Sequence, residues 1–142
     1  MTIKQQLISL DVGEKRIGVA IASSAVNIAI PYGTFLADGS ELKQIAELAV
    51  RENVKTLVVG YPRNQQGEPT AQTRFVEQFC QQLTGMGFNV EFQDESLTSV
   101  MAEQQLKEQA KPYNKADIDA RAATIILQDY LEQQRPREGE NG

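Results

Sequence analysis

Apolar and polar positions alternate with two different periods along this chain, and the switches between them mark its elements. Residues 7–24, LISLDVGEKRIGVAIASS, are two apolar runs around a short polar turn at Glu14 and Lys15. Both runs are rich in β-branched or small residues, which suit a pleated, buried surface, so the stretch predicts a β-hairpin. Residues 27–35, NIAIPYGTF, predict a third strand. Pro31 puts that strand at a sheet edge, because proline cannot donate to a ladder. The period then becomes helical: Leu42, Ile45, Ala46, Ala49 and Val50 share one face of residues 41–51, with Ser40 as N-cap. TLVVG at 56–60 is wholly apolar, the pattern of a strand buried on both faces. A polar loop holding Pro62 and Gly67 follows over 61–67.

A helix over 70–86 carries Phe75, Val76, Phe79, Cys80 and Leu83 on one side. NVEFQ at 89–93 predicts a strand ending in Asp94 and Glu95. A polar helix over 98–110 is broken at Pro112, and a last helix over 115–133 starts from Asn114 as N-cap. The order is three strands, then helix, strand, helix, strand and two helices. A meander followed by right-handed crossovers places the fourth strand beside the first and the fifth outside it. The predicted architecture is an α/β domain with a five-stranded mixed sheet ordered 3-2-1-4-5, its first three strands antiparallel. One domain over residues 1–134 and a flexible tail at 135–142 fit the length of 142 residues. In such sheets sites gather at the carboxyl ends of the strands. Asp11, the 61–67 loop and the Asp94–Glu95 pair fall at that edge.

Composition narrows the chemistry. With no histidine in the chain, a Ser-His-Asp triad, a Cys-His pair and a histidine-ligated zinc are all excluded. The single cysteine, Cys80, excludes an intramolecular disulfide and sits in a helical pattern as inert packing. The opening MTIKQQ lacks an apolar signal core, and no apolar run approaches the roughly 20 residues of a membrane span. A cytoplasmic protein without membrane contact is expected. A net charge of −5 argues against a broad electrostatic grip on nucleic acid, but not against a local one.

That balance also suits a site that gathers carboxylates for a cation. Asp11 ends the first strand, where an acid is out of place unless it is paired, holds a metal or merely opens the turn. Asp119 shares a face of the last helix with Ala122, Ala123, Ile126 and Tyr130, so its carboxylate heads a stripe that should pack. Asp117, in the first turn, suits the helix dipole better. Asp11, one of Asp94 or Glu95, and Asp119 could therefore converge. Such acids repel one another unless a cation binds, and hard divalent ions such as Mg2+ or Mn2+ take oxygen ligands. Neutralising Asp119 is then expected to leave the metal-free fold level or slightly more stable.

Four motifs resemble those of one family. LDVGEKRIGVA, GYPRNQQGEPTAQT, DESLTS and KADIDARAATIILQDYL occur in the order of the corresponding motifs of the YqgF family, the RuvX-like pre-16S rRNA nucleases, and span residues 7–131. The resemblance implies an RNase H-like fold related to Holliday junction resolvases. It also implies divalent-metal-dependent cleavage of structured RNA, at the 5′ end of the 16S rRNA precursor. Asp11, Glu95 and Asp119 match the family's catalytic and metal-binding acids. Arg16 and Gly18 match positions of the first motif. Ser96 stands where the family motif has arginine, so that cationic phosphate contact is either missing or supplied elsewhere, by Arg63 or Lys115; Arg16 is a further candidate for contact with nucleic acid. The strand beside the first ends in Gly60 without an acid, so Glu95 has to reach inward from the next strand. Three other readings remain: a resolvase-like nuclease of branched DNA, a non-catalytic nucleic-acid-binding factor in ribosome assembly or transcription, and an ATPase, whose fold usually needs a second domain. A monomer or a homodimer is compatible with the sequence, and a homodimer would favour branched DNA through paired cuts.

Overall fold

The computed structural model describes residues 6–23, 25–62, 68, 70–95, 98–109 and 111–134. Strands β1 (Gln6–Val12), β2 (Arg16–Ser23) and β3 (Ile28–Leu36) form the meander. Helix α1 (Glu41–Arg51), strand β4 (Thr56–Pro62), helix α2 (Ala71–Gly85) and strand β5 (Asn89–Glu95) follow, then α3 (Thr98–Glu108) and α4 (Lys115–Gln134). The sheet is ordered β3-β2-β1-β4-β5. β1 is antiparallel to β2 and parallel to β4, which is in turn parallel to β5. Leu57, Val58 and Val59 are fully buried, as the apolar run requires. β3 is the edge strand, and its register with β2 shifts between Val19 and Ala20, leaving Tyr32 unpaired beside Pro31. Such a bulge blunts an open edge.

Because successive side chains of a strand face opposite ways, the sheet has two unlike surfaces. One carries Ile8, Leu10, Val12, Ile17, Val19, Leu57 and Val59 and packs on α1 and α2 through Ile45, Leu48, Val76, Phe79 and Leu83. Cys80 is buried there, and burial together with the charge of Glu77 pushes its thiol up to about 12, so it is unreactive packing. The other surface is lined by smaller residues. Ser9, Gly18, Ala20, Ala22 and Gly60 lie under α4, which faces them with Ala123, Ile126, Leu127 and Tyr130. Small residues on both partners bring this helix close to the sheet. Ser9 Oγ donates to the carbonyl of Ala123 at 2.6 Å, and Thr34 Oγ1 to that of Ala116 at 2.7 Å.

The helix starts are set by their caps. Asn114 and Asp117 form a reciprocal pair: Asn114 Oδ1 accepts from the Asp117 N–H and Asp117 Oδ2 from the Asn114 N–H, each at 3.0 Å. α2 begins with the same device between Thr70 and Thr73, and Thr73 Oγ1 also donates to the Pro62 carbonyl at 2.6 Å. Ser40 holds the N-cap position of α1, but its side chain does not accept from the helix backbone. Its hydroxyl instead donates to Asp38 at 2.6 Å. None of the helices is long and apolar enough to cross a membrane among the described residues.

Candidate active site

Three acids from β1, β5 and α4 meet on the α4 side of the sheet, and two glycines make room for them. Asp11 is paired across the hairpin with Gly18. A Cβ at Gly18 would overlap the backbone carbonyl of Asp119. The missing side chain thus lets the first turns of α4 sit on β2, which sets Asp119 beside Asp11. Gly60 does the same for Glu95. β5 is one strand further from Asp11 than β4, so Glu95 must cross β4 to reach it. A Cβ at Gly60 would overlap the Glu95 carboxylate and lie 2.6 Å from Ile126 Cδ1. The Glu95 carboxylate therefore rests over the bare backbone of Gly60 and hydrogen-bonds Asp11. Asp94 is exposed and alternates to the α2 side, so of the two adjacent acids it is Glu95 that joins the cluster.

The electrostatics report the crowding. Asp11 has its pKa raised from 3.8 to about 6. Burial is the main cause and the charge of Asp119 adds to it, while the hydrogen bond with Glu95 pulls the other way. Asp119 is itself compensated: Arg16 Nε donates to its Oδ2 at 2.6 Å, and both side chains are more than two-thirds buried. This pair corrects one expectation. Neutralising Asp119 would strand the Arg16 guanidinium as well as relieve Asp11, so the expected stabilisation of the metal-free fold falls away. In this arrangement no three acidic side chains among the described residues are placed to hold one ion together.

The other anticipated residues divide. Lys115 is exposed at the first position of α4. Arg63 and Ser96 lie outside the described residues. Tyr61, expected to open a loop beside Asp11, belongs to β4, which runs on to Pro62. Its hydroxyl donates to Glu77 of α2 at 2.7 Å and its ring packs edge-on against Phe92 at 4.8 Å. It therefore faces the opposite surface of the sheet from the acids.

Residues 5–133 match the family model described as "RuvX: Holliday junction resolvase". The chain belongs to the RuvX family. A relative from Chloroflexus aurantiacus is 44% identical over 136 residues, covering 92% of this chain and 89% of its own. One from Synechocystis is 37% identical over 147 residues, covering 100% of this chain and 97% of its own. Both carry the name "Putative pre-16S rRNA nuclease". Among solved structures, Thermus thermophilus RuvC superposes with a TM-score of 0.54 at 12% identity, covering 92% of this chain and 96% of that one. The Fowlpox virus resolvase, solved in complex with Holliday junction DNA, gives 0.55 at 14% identity, covering 93% and 100%. This RuvX-family chain thus has the RNase H-like fold of the RuvC-type resolvases. In this chain the second acid, Glu95, arrives from the neighbouring strand over Gly60.

Gly60 offers a test of that arrangement. The atoms a new Cβ would meet are the far ends of two side chains, which can move, so Gly60→Ala should fold at a cost of about 1–3 kcal/mol. The displaced Glu95 would no longer hydrogen-bond Asp11, and the Asp11 carboxyl should titrate higher than in the parent protein. Carboxyl titration by NMR checks this, and an unshifted Asp11 would mean that Glu95 does not depend on the glycine.

Proposed function

We propose that this protein is a divalent-metal-dependent endonuclease that trims the 5′ end of the 16S rRNA precursor, with Asp11, Glu95 and Asp119 as its catalytic acids. The observation that carries this reading is the meeting of the three carboxylates on one side of the sheet, with Asp11 and Glu95 already in contact. The donor set fits a hard cation: it is all oxygen and carries surplus negative charge, and burial with the nearby charge of Asp119 holds the Asp11 pKa up at about 6. Asp11, Glu95 and Asp119 would hold the ion, which when bound supplies an activated water and neutralises charge on the phosphate. The names of the RuvX relatives supply the substrate.

This chain's own residues do the rest. Asp11 holds a proton below about pH 6 and must lose it before its carboxylate can serve as an anionic oxygen. Arg16 holds Asp119 and offers its remaining N–H groups toward an incoming phosphate. Lys115, exposed at the head of α4, can add a second phosphate contact. Action on a ribosomal precursor would place the protein in the cytoplasm.

The description of the family model and the Fowlpox resolvase complex favour a second reading, cleavage of branched DNA. A Mg2+ titration with end-labelled precursor RNA and with a four-way DNA junction separates the two. The first reading predicts metal-dependent cuts in the RNA with the junction left whole, and none from Glu95→Gln. Cleavage of the junction alone would reverse the assignment. Binding without cleavage of either would make the protein a non-catalytic factor.

A further inference from the structure

On the side of α4 away from the acids, the structure leaves an arginine with an unanswered donor. Arg121 follows Asp119 by two residues, about 200° around the helix, and so faces β3 and the α3–α4 connection instead of the cluster. Its Nε is buried and makes no hydrogen bond among the described residues. A buried donor without an acceptor is costly unless something else supplies one. Arg121 borders a cavity of about 260 Å³ that is also lined by Pro31, Gln109, Lys111, Tyr113 and Asp117. Two cations thus meet one carboxylate there. The carboxylate, Asp117, is turned to the Asn114 N–H at the start of the helix, where the helix dipole favours its charge. Tyr113 is turned to Glu103 at 3.3 Å. Arg121 and Lys111 remain as the cavity's cationic donors.

We infer that this cavity, built on Arg121 and Lys111, binds a backbone phosphate of the nucleic-acid substrate a few nucleotides from the bond that is cut. The inference rests on the proposed nuclease reading and adds a contact to it. Its position follows from the sheet. Thr34 is level with Gly18 and Asp11, whereas Pro31 is level with Ala20 and Ser9. The cavity therefore lies two strands across and two residues along from Asp11, roughly 12 Å away at ~4.8 Å per strand and ~3.4 Å per residue. α4 links the two places, with Asp119 at one and Arg121 at the other. A chain bearing a net charge of −5 needs such local cationic points to hold a polyanion.

The test is equilibrium binding of a fluorescent RNA hairpin with a single-stranded 5′ extension, in EDTA, across a series of salt concentrations. Arg121→Gln should weaken binding severalfold at low salt and lower the salt slope by about 0.7, the loss of one single-strand phosphate contact. Arg121→Lys should keep most of both, and Lys111→Gln should resemble Arg121→Gln. Arg121→Met keeps the aliphatic stem and removes the unpaired donor, so its melting temperature should be level or raised. Wild-type affinity and slope in Arg121→Gln, in a protein that binds and cleaves the RNA, would overturn this inference alone. A destabilised Arg121→Met with unchanged binding would make the arginine packing. A wild-type protein that binds neither this RNA nor a DNA junction would remove the nuclease reading and this contact with it.

Discussion

Gly18→Ala is expected to unseat α4 and cost about 3 kcal/mol or more. The added methyl meets the backbone carbonyl of Asp119 and the amide of Ala120, neither of which can rotate away as a side chain can. Relief requires lifting the first turns of the helix from β2. That in turn strains the Ser9 bond to Ala123 and the Thr34 bond to Ala116, both across the same interface. It also carries Asp119 away from Arg16 and Asp11. The melting temperature should fall by about 10 °C or more. Differential scanning calorimetry checks the size, and a loss of under 1 kcal/mol would show that the helix is not seated as closely as the glycine implies. The contrast with Gly60→Ala is informative, since there the obstacles are side-chain ends and the fold should persist.

Asp11→Asn should have the opposite effect on stability and a large one on function. Asp11 titrates at about 6 in the folded protein against 3.8 ordinarily. Between those values the folded state holds a proton that the unfolded state has lost, so stability declines as pH rises through the window. Above it the full difference applies, about 3 kcal/mol at 1.36 kcal/mol per pKa unit. Asparagine stays neutral, so it carries no charge for burial to penalise. The variant should therefore be more stable than its parent by up to about 3 kcal/mol at pH 8, with the gap closing toward pH 4. Metal-dependent cleavage should fall by more than about 100-fold, beyond the 10–100-fold typical of residues that only orient a ligand. Denaturant unfolding at the two pH values reads the first effect. A variant less stable than its parent at pH 8 would mean that the Asp11 charge is welcome in the metal-free site.

The elements and their order were legible because each rests on a local pattern. A wholly apolar TLVVG has few places to go but the sheet interior, and crossover handedness then leaves one position for β4. Asp119 stood out because an acid headed an apolar stripe, and Asn114 because its cap chemistry is local. What escaped were relations across the sheet. The Arg16–Asp119 pair joins residues 103 positions apart, and no periodicity links them. Tyr61 was misplaced because β4 continues two residues past its apolar run, and each further residue reverses the face. The path of Glu95 depends on what is absent from Gly60, which a strand ending in glycine hints at but does not reveal. The Arg121 cavity needs β3, the α3–α4 connection and α4 together, three segments whose proximity only the fold supplies.

Anomalous scattering from a crystal of the protein soaked in Mn2+ reads whether Asp11, Glu95 and Asp119 form one cation site. The expected result is a peak bounded by all three carboxylates, with Asp119 turned from Arg16 toward the ion. A soaked crystal with no peak among these acids, and with Asp119 still on Arg16, would contradict it.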